Sequence, residues 1–293
     1  MHFDWTFVVR LSALVLPAMM LMALHGAAHA AGPSASTTGG VSLEKLSHQR
    51  IFFGHQSVGG NILDGVKQVS AVQQGPAPRI VEVKDPTASI APGTLAHAMV
   101  GENLKPESKI ADFERLMDGG LAKQTDVAFM KFCYIDFNGA TDARAVFEKY
   151  RTTLDGLKAR HPGTTFVHVT VPLTTVQRGA KAWLKELLGK PVWGIAENVQ
   201  RETFNQLLRQ TYGGGKAPLF DLALLESTTA EGTPETYELN GQTWPAMVPA
   251  YSDDGGHLNA VGQQRIAHAF LAFLSTLPPP AVQPPIPAAQ ATP

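Results

Sequence analysis

The sequence predicts an α/β fold, a three-layer α/β/α sandwich built on a mostly parallel five-stranded sheet. Three observations carry this. Five short runs are apolar with few interruptions and rich in β-branched and aromatic residues, the pattern of strands covered on both faces. Helical patterns separate them, and strands alternating with helices imply a parallel sheet between helix layers. The chain of 293 residues also leaves, once its ends are set aside, about 260 residues, enough for one large domain.

In chain order, residues 1–30 read as an export signal. Arg10 precedes an uncharged run from Leu11 to Leu24, and Ala28-His29-Ala30 has the small-x-small form of a cleavage site, so cleavage is expected after Ala30. The run is too short for an ordinary membrane span, and an uncleaved N-terminal anchor is the alternative. A linker (31–46) leads to a domain expected over 47–277. Its strands are "RIFFGH" from Arg50, "RIVEV" from Arg79, "DVAFMKFCYI" from Asp126, "TFVHVTVPL" from Thr165 and "APLFDLALL" from Ala217. Its helices are Asn61 to Val72, Lys109 to Ala122, Thr141 to Arg160, Ala196 to Thr211 and Ala260 to Leu274. Within a long connection, "YELNGQTW" sets Asn-Gly between strand formers, a hairpin signal. From Pro278 a Pro/Ala tail offers no apolar face for packing and is expected to be disordered or extended.

Lys and Arg number 24 against 25 Asp and Glu, and they are scattered, so no footprint for nucleic acid or anionic lipid is expected. With the signal removed, no membrane partner is expected either. Cys133 is the only cysteine, which excludes an internal disulfide and a cysteine-based zinc site; its apolar setting suits a buried thiol. The histidines lack metal-ligand spacing, so neither a metal nor a cofactor is expected.

Parallel sheets bind ligands beyond the carboxyl ends of their strands. Ser57, in "GHQSVGG", lies at the end of the first strand and the start of a helix, where free N–H groups and the helix dipole favour developing negative charge. Gly59 and Gly60 would permit unusual backbone angles and close approach of a bound group. A plain helix cap is the competing reading of Ser57. Near the other end, "YSDDGGHLNAVG" separates Asp254 from His257 by two glycines, so the carboxylate can fold back on its own histidine and favour the imidazolium. The competing reading is a loop aspartate followed by a helix capped by Asn259. Together the two motifs point to a serine hydrolase.

On these residues the chain resembles the SGNH, or GDSL-type, hydrolase superfamily, whose nucleophilic serine follows the first strand and whose Asp-x-x-His precedes the last helix. Gln56-Ser57 stands where many members have Asp-Ser, and Gln-Ser occurs in acetylesterase branches. The resemblance implies a flavodoxin-like sheet and an oxyanion hole from the serine N–H, a glycine N–H and an asparagine side chain. Gly101 matches the glycine. The expected Gly-x-Asn-Asp is absent: Asp136 matches, but Ile135 falls on the asparagine, leaving Asn103, preferred for sharing the loop of Gly101, or Asn138 as replacement donors.

His55, Gln56, Lys131, Tyr134 and Asp136 are possible substrate contacts, with a packed role open for His55 and a structural lysine–carboxylate pair for Lys131. His168 reads as a core histidine. Two long connections carrying Trp183 and Trp193, and Trp244 and Tyr251, could wall the site. The resemblance and the export signal together imply a periplasmic or secreted serine esterase acting on acyl, first of all acetyl, esters of an envelope or extracellular polysaccharide. Acyl transfer by the same residues, and a non-catalytic carbohydrate-binding scaffold, are the alternatives. The α/β-hydrolase elbow Gly-x-Ser-x-Gly is not met, since His55 stands at its first glycine.

Overall fold

A computed structural model describes residues 43–72 and 77–278. The expected export segment with its cleavage site and the tail beyond residue 278 lie outside the described residues. In chain order the elements are α1 (Leu43–Leu46), β1 (Arg50–His55), α2 (Ser57–Val72), β2 (Arg79–Glu82), β3 (Thr94–Met99), α3 (Pro106–Leu116), α4 (Ala122–Gln124), β4 (Val127–Met130) and α5 (Ala143–Arg160). There follow β5 (Thr165–Phe166), β6 (His168–Val169), α6 (Ala180–Leu187), α7 (Ile195–Tyr212), β7 (Leu219–Phe220), α8 (Leu222–Glu226), β8 (Thr236–Leu239), β9 (Gln242–Pro245) and α9 (Ala260–Thr276).

The sheet is five-stranded and parallel, in the order β2-β3-β1-β4-β5. The N–H of Val167 bonds the carbonyl of Ala128, so β6 prolongs the line of β5, yet it pairs with β7 in a separate parallel ribbon. Neighbouring side chains on a strand point to opposite faces. Accordingly Ile51, Phe53 and Phe129 pack with Val58, Ile62, Ile266 and Phe270 of α2 and α9. Phe52, Ala128 and Met130 pack with Ile110, Phe113, Phe147 and Phe204 of α3, α5 and α7. Two apolar cores on one sheet make the three layers the sequence predicts.

Several boundaries differ from the expectation. The five expected strands are not the five of the sheet: β3 was absent from the sequence reading, because "TLAHAM" is short and alanine-rich, yet Ala96 and Ala98 suit a tightly packed central strand. The strand from Asp126 ends at Met130, and a 3-10 turn over Tyr134–Asp136 follows, since the Asp136 carboxylate takes the Cys133 N–H at 2.7 Å. The strand from Ala217 is only Leu219–Phe220; Asp221 then caps α8 by accepting from the Leu224 N–H. β2 is an edge strand and largely exposed rather than covered on both faces. The expected Asn-Gly hairpin is β8–β9, with positive φ at both Asn240 (52°) and Gly241 (74°), as a type I′ turn requires.

Candidate active site

Ser57 is the first residue of α2 and its side chain is exposed. The helix start is closed by its neighbour, since the Gly59 N–H donates to the Gln56 carbonyl at 2.8 Å and the Gly60 N–H at 3.3 Å. The Ser57 hydroxyl instead meets His257 Nε2 at 3.0 Å and Cys133 Sγ at 3.6 Å, so the plain-cap reading does not describe it. Among the described residues the N–H groups of Ser57 and Val58 have no hydrogen-bond acceptor. They stand at the positive end of a sixteen-residue helix. Neither Gly59 nor Gly60 has positive φ. Gly59 is needed because a Cβ there would fall 2.3 Å from that of His55, while Gly60 faces open space.

His257 comes from the turn before α9, and Asn259 caps that helix through the N–H groups of Val261 and Gly262. Asp254 Oδ1 accepts from the N–H groups of Gly256 and His257, each at 2.8 Å, and Oδ2 accepts from His257 Nδ1 at 2.7 Å. With Nδ1–H held there, Nε2 faces Ser57 as a proton acceptor. Partial burial pushes the Asp254 carboxyl up, but the two backbone donors and the imidazole outweigh it and hold it well below the usual carboxylate range. Gly255 takes φ 88° to make the turn, and a Cβ on Gly256 would lie 2.5 Å from the Tyr134 ring. That ring packs edge-on against His257, with centroids 5.4 Å apart.

Two segments far apart in the chain are therefore brought together, with Ser57 and His257 separated by 200 residues. The residues expected around them are sorted differently. Gly101, expected as an oxyanion donor, has its N–H occupied by Asp112 Oδ2 at 3.0 Å. It follows β3, the strand missing from the sequence reading. Asn103 is exposed, and its Oδ1 is held by Lys109 Nζ at 2.9 Å; this orients its amide, and among the described residues its Nδ2 has no acceptor. Asn138 closes its own turn, Oδ1 accepting from the Ala140 N–H at 2.8 Å.

Four of the five possible substrate contacts are interior, a correction to the sequence reading. His55 is buried, its Nδ1 against the Gln56 carbonyl at 2.8 Å and its Nε2 against His97 Nδ1 at 3.1 Å. Burial takes its pKa down to about 4, so the ring is neutral. Gln56 is buried too, and its amide donates to the carbonyls of Val100 and Gly101 at 3.0 and 2.9 Å, tying the β3 loop to β1. Asp136 is fully buried between Lys109 Nζ (2.6 Å), the Cys133 N–H and the Leu104 N–H (3.0 Å). Lys131 is fully buried and donates to the Phe132 carbonyl at 2.9 Å; the lysine–carboxylate pair is made by Lys109. His55 and Gln56 adjoin the serine in sequence and Lys131 and Asp136 lie just beyond β4, but the packing of strands and loops turns all four inward. Tyr134 is half-buried beside His257 and stays at the site.

Two residues that the sequence reading left out hold this edge. The sequence marks Lys109 only as the start of an expected helix. Arg201, fully buried on α7, donates from Nε to the Tyr134 carbonyl at 2.9 Å and from Nη1 to Thr174 and Asn198, both at 2.7 Å. Helical spacing cannot tell such a residue from a solvated one. His168 is a core histidine, bonded to the Tyr150 hydroxyl at 2.9 Å and stacked on Tyr212. Among the described residues no group of three or more His, Cys, Asp or Glu side chains is placed to hold a metal ion.

Glu226, at the end of α8, is fully buried. Its Oε2 accepts from the Leu173 N–H at 2.7 Å and its Oε1 has no partner among the described residues. Burial raises its pKa from 4.5 to about 8, against the Leu173 N–H and the charges of Lys131 and Arg201. Between these two values the folded chain keeps a proton that the unfolded chain releases, so the stabilisation is complete below about 4.5 and is lost as pH rises toward 8. Glu226→Gln is expected to flatten this decline, worth on the order of several kcal/mol. Melting curves from pH 5 to 8.5 (about four conditions) test it; identical slopes for the two proteins would refute it.

No protein-family model and no curated protein sequence matches the chain. Solved structures do. An acetyl esterase mutant with acetate ion is 15% identical, covering 76% of this chain and 95% of that one at a TM-score of 0.45. A carbohydrate esterase family 3 structure from Talaromyces cellulolyticus is 14% identical, covering 77% and 94%, TM-score 0.42. The periplasmic domain of a lipopolysaccharide acetyltransferase of Salmonella ser. Paratyphi A is 12% identical, covering 75% and 81%, TM-score 0.39. The chain is similar to each of these at low identity.

Proposed function

We propose that the protein is an exported serine esterase that cleaves acyl esters, acetyl esters first among them, on an envelope or extracellular polysaccharide. One observation carries the chemistry: the line from Asp254 Oδ2 through His257 to Ser57 Oγ, with links of 2.7 and 3.0 Å, on an exposed serine at a helix N-terminus. In this reading His257 Nε2 takes the hydroxyl proton as Ser57 Oγ attacks the ester carbonyl. The imidazolium, stabilised by Asp254, then protonates the departing alkoxide, leaving an acyl-serine. Water, deprotonated by the same ring, releases the acid and restores the serine. The N–H groups of Ser57 and Val58 and the Asn103 amide are the proposed oxyanion donors in place of Gly101. The export signal and the resemblance motivate the polysaccharide, which stays a proposal of substrate only.

Labelling with a fluorophosphonate, read by peptide mass, is the direct test. Modification is expected at Ser57, absent in Ser57→Ala and strongly slowed in His257→Ala. Folded protein that takes up no label would turn the reading to a carbohydrate-binding scaffold without catalysis.

A further inference from the structure

Helix α6 turns its apolar side outward. Ala182 is buried, while Trp183, Leu184, Leu187 and the following Leu188 are 63%, 50%, 67% and 58% exposed. Residues 183 and 187 lie one turn apart, as do 184 and 188, so these four large side chains form one continuous strip. Contiguous exposed apolar surface of this kind marks a binding face. Along its own segment the charge has one dominant sign: over residues 180–190, Lys181, Lys185 and Lys190 against Glu186 leave three minus one, or +2, while Glu238 of β8 lies beside Trp183 on the neighbouring ribbon. Tryptophan and leucine on one side with flanking lysines is the composition of a helix that lies in the headgroup region of a bilayer, where lysine stems reach along the apolar surface to the wet boundary. No helix among the described residues is long and apolar enough to cross a membrane, which leaves surface seating.

The excursion carrying α6 stands next to the candidate active site. It departs at Thr175, whose N–H bonds the Gly255 carbonyl at 2.9 Å, and the Gln177 N–H closes its neck on the Trp193 carbonyl at 3.1 Å. Trp193 Nε1 lies 3.4 Å from where a side chain on Gly255 would begin. Gly255 is the residue after Asp254. Met99 at the end of β3, Leu104 after it and Ile135 after β4 are further exposed apolar residues at or beyond the carboxyl ends of these strands.

We propose that α6 docks the protein on the surface of an anionic phospholipid bilayer, inserting Trp183, Leu184, Leu187 and Leu188 and bringing the loop that carries His257 close to the lipid. Whole-chain charge argued against anionic lipid because it averages over the surface, whereas the lysines that matter are gathered on one segment. The docking does not depend on the Ser57 chemistry.

The test is flotation of the purified full-length export product, its N-terminus read by mass, with vesicles of phosphatidylcholine containing about one third phosphatidylglycerol. The comparison is with pure phosphatidylcholine vesicles and with a Trp183→Ser, Leu187→Ser double variant. Wild type is expected to float with the anionic vesicles, less with the neutral ones, and the variant to lose at least about tenfold in partitioning. Equal melting temperature would show that the variant is folded, and turnover of a water-soluble acetyl ester is read alongside. Failure of folded wild type to float, or equal flotation of the variant, overturns the proposal. So does a wild-type dimer, seen by light scattering, that the variant abolishes without any vesicle binding, because the strip would then meet a second copy. If neither protein turns over ester, the esterase reading fails while flotation still decides the docking.

Discussion

His257→Ala is expected to lower kcat on an acetyl ester by about four to six orders of magnitude, as is Ser57→Ala, and the double variant to be scarcely worse than either. The reason is geometric. Nε2 sits 3.0 Å from the hydroxyl and is the only ring nitrogen that faces it, so without it the serine must attack with its proton still on. Asp254→Asn is expected to cost roughly three to four orders, because an amide cannot fix the Nδ1–H tautomer or stabilise the imidazolium. Its folded state should change little, since the turn can still accept the N–H groups of Gly256 and His257 through the amide oxygen. The pH profile adds a sign. Asp254 is held well below the ordinary carboxylate range, so it stays ionised as pH falls toward 4, and an activity loss on mild acidification does not come from its protonation. Steady-state kinetics decide the matter: single and double variants whose losses multiply would mean that the three side chains do not act as one unit.

Lys109→Met is expected to destabilise the fold by about 3–5 kcal/mol, because it leaves the carboxylate of Asp136 buried without its cation. Both side chains of the pair are fully buried, 2.6 Å apart. The same ammonium holds Asn103 Oδ1 at 2.9 Å, and the same carboxylate holds the Leu104 N–H, in a residue forced to φ 68°. The pair thus locks the loop that presents Asn103. Asn103→Ala separates the two effects: it should leave the melting temperature nearly unchanged and lower kcat by about two orders with KM little moved. A loss of less than about threefold in turnover would remove Asn103 from the oxyanion hole. Denaturant unfolding of Lys109→Met beside kinetics of Asn103→Ala reads both.

Much of this was legible in the sequence, and the reasons differ by element. Ser57 and the Asp254–His257 pair were visible because their chemistry is local: a serine between a strand and a helix, and a carboxylate that can reach its own histidine within one turn. The long helices were visible through their period, and Asn240-Gly241 through the positive φ that its turn demands. What sequence could not reveal depended on partners far along the chain. β3 hid because alanines carry little hydrophobic signal, yet beside β1 they are what lets α3 pack close. Gly101 matched the expected glycine, but only folding set Asp112 against its N–H. His55 and Gln56 adjoin Ser57, and Lys131 and Asp136 follow the neighbouring strand β4, yet folding buries all four.

By itself, then, the sequence determined the layer architecture and the three candidate reacting groups, since periodicity and short-range turn chemistry are properties of consecutive residues. Tertiary structure alone decided that Ser57 and His257 meet, which carboxylate pairs with which lysine, and which neighbours of the serine reach the surface. It also decided that the apolar side of α6 is left uncovered. Each of these depends on the burial and pairing of groups tens to hundreds of residues apart, and no local pattern records which partner a buried charge will find.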